Sequence, residues 1–206
     1  GNDIDLDDIV WMGFTPSVAD LAAESGIAKS RPMDDLQQYG LSRVGAGRLH
    51  FLPPYRHDIM MQMMELTGLP AAQLKNMASV ELIKAVVDQR AVKSAEEIAE
   101  IERACAIGYE MHTTAMRMCK PGVTEREIAG RIEGLALAKG AGYSFPPIVT
   151  MHGEIQHGYP KATPLEAGRL LLCDSGAETL GCYASDNTRV TPVSGKFTQR
   201  QAEIYT

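Results

Sequence analysis

Two S/T-x-x-E signatures in the second half constrain this chain more than any other feature. Ser94 with Glu97, and Thr124 with Glu127, are capping boxes, in which side chain and backbone satisfy each other's orphan donors at a helix start. Each opens an amphipathic run. After the first, Ile98, Ile101, Cys105, Tyr109, His112, Met116 and Cys119 recur every three or four residues and predict one buried face, ended by Pro121-Gly122. After the second, Ile128, Ile132 and Leu135 form the stripe, and Gly140 and Gly142 stop it. The period then shortens to that of strands. Ile148–Met151, Leu170–Asp174 and Cys182–Asp186 are separated by Gly- and Pro-containing turns. Thr198 with Gln201 predicts a third capping box, opening a helix that is cut at Thr206. A helix about two turns long after its cap is expected to continue, so the chain reads as part of a longer protein.

The residues before Val92-Lys93-Ser94 have a different texture, which divides the chain into a domain at 1–92 and another at 93–206. Ile9–Phe14 is an apolar run of strand length, expected to need neighbours on both faces. Thr15-Pro16 predicts a helix start and Gly26 its stop. Leu49–Leu52, closed by Pro53-Pro54, is a second strand candidate. Helices are expected around His57–Leu66 and Ala71–Ala78, with Met60, Met61, Met63 and Met64 as gap-filling core. Alternating elements of this kind predict an α/β (α+β) fold.

Composition excludes more than it selects. The chain is 206 residues long, 45% hydrophobic and 22% charged, enough to bury a core without disulfides. A net charge of −6 gives no basic field for nucleic acid or an anionic membrane. No apolar run reaches the ~18 residues of a membrane span. Cys105, Cys119, Cys173 and Cys182 contain no C-x-x-C pair, which disfavours zinc knuckles and redox dithiols. Buried free thiols and an acidic start without a basic leader fit the reducing cytoplasm.

The sharpest chemical feature is Asp174 with Asp186. A turn centred near Leu180 places them opposite one another, with Cβ atoms ~4.5–5.5 Å apart on one face. Two carboxylates that close need a shared proton, basic partners or a divalent cation. His152 and His157 are five apart, so a straight strand turns them to opposite sides and only one can face the pair. Arg189 is placed to hold a carboxylate bidentately. His112, on the apolar stripe of its helix, reads as a satisfied core histidine.

Together these stretches resemble a known family. Lys120-Pro121-Gly122-Val123-Thr124-Glu125, His157-Gly158, Glu166-Ala167-Gly168, Leu172-Cys173-Asp174-Ser175-Gly176-Ala177-Glu178, Ser185-Asp186-Asn187-Thr188-Arg189 and Phe197–Tyr205 resemble the creatinase and methionine-aminopeptidase type "pita-bread" metallopeptidases. The branch is that of aminopeptidase P and prolidase. The resemblance implies a partial creatinase-like N-terminal domain over 1–92 and the first part of the pita-bread catalytic domain over 93–206. It further implies that Asp174 and Asp186 are the first two of five ligands to two divalent ions, with Asp186 bridging both. Manganese is the expected metal, with zinc and cobalt as alternatives. His157 falls on a histidine that contacts substrate, and Thr188 and Arg189 on positions supporting the bridging carboxylate.

The activity so implied is hydrolysis of the bond between an N-terminal residue and a following proline by a metal-bridged hydroxide. The partner is a proline-containing peptide, and the assembly is a homo-oligomer through the N-terminal region or residues beyond Thr206. Alternatives are a prolidase restricted to dipeptides and a non-catalytic peptide- or protein-binding module. A metal-free creatine amidinohydrolase shares the fold, but Asp174 and Asp186 argue against it. Asn187 departs from the family, which has an apolar residue there. The remaining ligands, one His and two Glu, are implied to follow Thr206, so this chain alone is expected to be inactive.

Overall fold

The computed structural model describes residues 3–33, 35–36 and 49–205. The chain divides into two compact units, residues 1–92 and 93–206.

Among the described residues the first unit is helical. A 3-10 turn, Leu6–Asp8, runs directly into α1, Ile9–Met12. Helix α2 is Val18–Glu24, α3 His57–Thr67, α4 Ala71–Met77 and α5 Val80–Ala91. The strand expected at Ile9–Phe14 is therefore a helix. Asp5 caps the 3-10 turn that leads into it, accepting from the Asp7 N–H, and Asp7 and Asp8 place negative charge in that turn, ahead of Ile9. A strand needs a ladder partner, and none of the described residues supplies one here. Val10 and Trp11 stay 83% and 84% exposed, so the expected burial fails as well. Leu49–Leu52 is likewise no strand; the Phe51 carbonyl accepts from Ser79, which caps α5. Helix α2 starts at Ser17, in a capping box with Asp20, rather than at Thr15. The methionines are a further correction. Met61 and Met64 are exposed and Met60 and Met63 half-buried, while Leu66 and Leu74 are buried.

The second unit follows its capping signals closely. Helix α6 is Ala95–Met118 and α7 Glu125–Lys139, and both boxes form as expected. Strand β1 is Gly142–Tyr143, β2 Ile148–Thr150, β3 Leu170–Ser175, β4 Ala177–Glu178 and β5 Asn187–Pro192. Helix α8, Gln199–Tyr205, closes the described chain, with Thr198 and Gln201 capping one another. Strands β2, β3 and β5 form an antiparallel sheet in the order β2-β3-β5, and β1 pairs with β4.

The buried face of α6 is offset from the stripe expected. Ala104, Ile107, Gly108, Met111, His112 and Ala115 are buried, whereas Tyr109 and Cys105 are exposed. Small residues decide this. An added Cβ at Gly108 would lie 2.9 Å from the Ser185 Oγ, so the helix approaches the sheet region most closely where its side chains are smallest. Met111, Ile128, Ile132, Val149, Leu171 and Val193 form the core between the helices and the sheet.

Strand β3 alternates strictly. Leu171, Cys173 and Ser175 are buried toward the helices, and Leu170, Leu172 and Asp174 lie half-buried on the other face. That alternation turns Asp174 away from the hydrophobic core.

Candidate functional site

Asp174 and Asp186 come together through one hairpin. Its register pairs Leu172 with Val190, Cys173 with Arg189 and Asp174 with Thr188. The turn is centred on Gly181 rather than Leu180. The Thr179 N–H donates to the Tyr183 carbonyl and the Cys182 N–H to the Thr179 carbonyl, with Cys182 at φ 62°. Three residues between the last paired positions, the third left-handed, make a familiar hairpin loop. Moving the centre by one residue moves every partner by two. Asp186 is therefore diagonal to Asp174 and one residue before β5, and an even shift keeps it on the same face. The expected strand at Cys182–Asp186 is replaced by this turn and by the Glu178–Ala184 bridge.

The approach to Asp186 is tightly built. The Ser185 Oγ accepts from the Ala177 N–H at 3.1 Å, and the Ser144 hydroxyl donates to the Ser185 carbonyl at 2.7 Å. Gly176 passes so close that a Cβ there would overlap the Ser185 carbonyl oxygen, at 1.8 Å. Only glycine fits.

One cavity of about 400 Å³ collects three of the expected site residues, but not Thr188 or Arg189. Asp174, Asp186 and His157 all line it, and Phe145-Pro146-Pro147 and Tyr159 supply apolar wall. His152 is not part of that lining; its Nδ1 lies 3.0 Å from the Glu154 carboxylate. His157 and Asp186 are exposed, whereas the Asp174 Oδ1 is buried with no hydrogen-bond partner among the described residues. A buried carboxylate oxygen without a donor is costly, and hard divalent cations take such oxygens. The two carboxylates fit a metal in this sense. Two carboxylates do not make a full ligand set, and among the described residues no three His, Cys, Asp or Glu side chains converge as a ligand group.

Thr188 shares the Asp174 face. Arg189 alternates to the helix side and donates its Nη1 to the Thr188 carbonyl at 2.8 Å; among the described residues it makes no ion pair with a carboxylate. Behind the strand, His112 brings its Nε2 to 3.3 Å from the Ser175 carbonyl and 3.4 Å from its hydroxyl. Burial holds this imidazole below its ordinary pKa, and the Arg189 charge adds to the effect, while the Ser175 and Asn187 carbonyls oppose it. Its Nδ1 is buried and has no partner among the described residues, so His112 is satisfied on one nitrogen only.

Sequence reasoning missed the walls, Phe145-Pro146-Pro147 and Tyr159, and the Gly176–Ser185 contact. The Pro-Pro pair and the glycine beside a buried serine were the available signals.

Residues 99–206 match metallopeptidase family M24. The Xaa-Pro aminopeptidase of Escherichia coli is 42% identical over 123 residues, 58% of this chain and 28% of that protein. Proline aminopeptidase P II from Yersinia pestis superposes over 100% of this chain and 49% of its own, at a TM-score of 0.77 and 29% identity. A prolidase from Pyrococcus furiosus is 33% identical but covers 59% of this chain and 36% of its own, with a TM-score of 0.55. The chain spans about a third of the length of the curated relatives it matches. Its mixed helix-and-sheet fold is that of a pita-bread fragment, and the chain belongs to metallopeptidase family M24.

Proposed function

We propose that this chain contributes part of the active site of an Xaa-Pro aminopeptidase. One observation carries the reading: Asp174, Asp186 and His157 line a single cavity, and the buried Asp174 Oδ1 has no donor among the described residues. Asp174 and Asp186 would hold two divalent ions, with manganese the expected metal. Bound there, the ions supply Lewis acidity and an acidified water at neutral pH.

The chain's own residues orient the substrate. His157, at the cavity wall, donates a hydrogen bond to the peptide backbone as negative charge develops on the scissile carbonyl. Phe145, Pro146, Pro147 and Tyr159 shield the site from water and accept apolar side-chain surface. Thr188 supports Asp186 from the same face, and Arg189 acts through the Thr188 carbonyl. A bond to proline lacks an N–H, so recognition rests on ring shape and the free amine rather than on a donor. We assign residues 1–92 to the creatinase-type N-terminal domain and 93–206 to the first part of the catalytic domain. The full-length superposition on aminopeptidase P, against partial coverage by prolidase, favours aminopeptidase over dipeptidase.

The experiment is an assay of the full-length protein carrying this chain, with manganese, on Ala-Pro dipeptide and on a tripeptide beginning Ala-Pro. Release of the N-terminal residue from the tripeptide supports the reading. Dipeptide cleavage alone indicates prolidase, and binding without cleavage indicates a non-catalytic module.

A further inference from the structure

Glu125 opens α7 yet is only 1% exposed. Its side chain leaves its own helix and enters the protein, where both oxygens accept from backbone. Oε1 takes the Met151 N–H at 2.8 Å and Oε2 takes the Lys161 N–H at 3.0 Å. The adjoining backbone repeats the connection: the Arg126 N–H donates to the Lys161 carbonyl at 3.0 Å and the Glu125 N–H to the Thr163 carbonyl at 3.3 Å. Among the described residues no basic side chain pairs with Glu125. A buried carboxylate held by backbone donors alone is a costly choice for a merely structural position.

Its two donors bracket a particular segment. Residues 152–160 carry His157, Gly158 and Tyr159, which line the cavity of Asp174 and Asp186. Inside the segment the bonds are local: Ile155 N–H to the His152 carbonyl at 2.9 Å, and the His152–Glu154 pair. The Glu125 carboxylate thus ties both ends of a loop whose middle lies on the cavity wall.

We propose that Glu125 is a positioning residue for His157, its carboxylate cinching Met151 and Lys161 so that the loop holds the imidazole at the cavity. This rests on the reading of His157 as the substrate-contacting histidine. The carboxylate is required because it accepts through two oxygens. A glutamine accepts through one and turns an NH2 toward the other backbone N–H, breaking one end of the clamp.

Hydrogen exchange and steady-state kinetics on the full-length protein, in wild type, Glu125→Gln, His157→Ala and the double variant, test the proposal. In wild type the Met151 and Lys161 amides exchange as slowly as the core of α7; rapid exchange of both overturns the clamp whatever the variants do. In metal-free Glu125→Gln, amides of 152–160 exchange faster while the manganese-induced thermal shift stays at the wild-type value. Unchanged exchange across 152–160 overturns the proposal. In kinetics Glu125→Gln lowers kcat/KM on the order of a hundredfold, as expected for a misplaced catalytic group, but changes it less than about threefold in the His157→Ala background. Equal losses in both backgrounds overturn positioning through His157. If His157→Ala alone leaves kcat/KM unchanged, the reading of His157 fails instead, while the exchange data still decide the clamp.

Discussion

Asp174 lies directly across the β3–β5 ladder from Thr188, so Asp186 reaches it on the diagonal. Diagonal positions are ~7–8 Å apart, against ~4.5–5.5 Å for directly opposed Cβ atoms. The two carboxylates therefore share a face and a cavity without the close repulsion that direct opposition would impose. The exposure of Asp186 dilutes the repulsion further. Direct repulsion therefore gives this pair little need of a cation; the feature that favours one is the Asp174 Oδ1, buried and without a partner among the described residues.

The glycines of the two long helices make opposite predictions. An alanine at Gly108 puts its Cβ 2.9 Å from a Ser185 Oγ that is already hydrogen-bonded to Ala177. Overpacking of this kind costs ~1–3 kcal/mol, of which helix propensity returns under ~1. At Gly130 and Gly134 in α7 an added Cβ meets nothing within 4 Å. Gly108→Ala should lower the midpoint of urea unfolding. Gly130→Ala and Gly134→Ala should each raise stability by ~0.5–1 kcal/mol.

His112 predicts a pH dependence. Its folded-state pKa is held below the unfolded value, mainly by burial, so below pH ~6.5 the unfolded state binds the extra proton. The folded state loses stability as pH falls through that value and continues to do so down to the folded pKa. Measured as Tm against pH in metal-free protein, wild type should fall more steeply between pH 7 and 5 than His112→Gln. Parallel curves would show that His112 charges as freely when folded as when unfolded.

The cysteines divide by burial. Desolvation pushes the Cys119 and Cys173 thiols up to about 11, which leaves negligible thiolate at neutral pH. Alkylation of native protein at pH 7.5, mapped by peptide mass, should leave both unmodified until denaturant is added. Labelling of either in the folded protein would contradict the packing of β3 against α6.

Local signals were legible and longer-range geometry was not. The boxes at Ser94 and Thr124 act within four residues, so the helices they open begin where the sequence places them. The hairpin register depends on which residue adopts the left-handed conformation. The turn was expected to centre near Leu180, but Cys182 takes the left-handed position, the centre falls on Gly181, and partners shift by two. The face of Asp174 survived because the error was even. Ile9–Phe14 read as a strand because an apolar run carries no period, and Asp5, Asp7 and Asp8 decide for a helix. On α6 the large residues marked a stripe, while close approach of Ser185 selects the face with Ala104, Gly108 and Ala115. Of the candidate site, the Asp pair was legible from spacing and His157 through the resemblance; the bonds from Glu125 to the backbone of Met151 and Lys161 were not, since no local pattern announces the burial of Glu125.

The central claim is that Asp174 and Asp186 hold metal. Asp186 is exposed, so Asp186→Asn should change metal-free stability by no more than ~0.5 kcal/mol, and Asp186→Ala should abolish peptidase activity. The direct measurement is the thermal shift on adding manganese to the full-length protein. At about 100 times the dissociation constant, binding adds ~2.7 kcal/mol and raises the Tm by several degrees. The account predicts that rise in wild type and little or none in Asp186→Asn at the same manganese concentration. Equal shifts in the two proteins would remove Asp186 from the ligand set and contradict the assignment of the site.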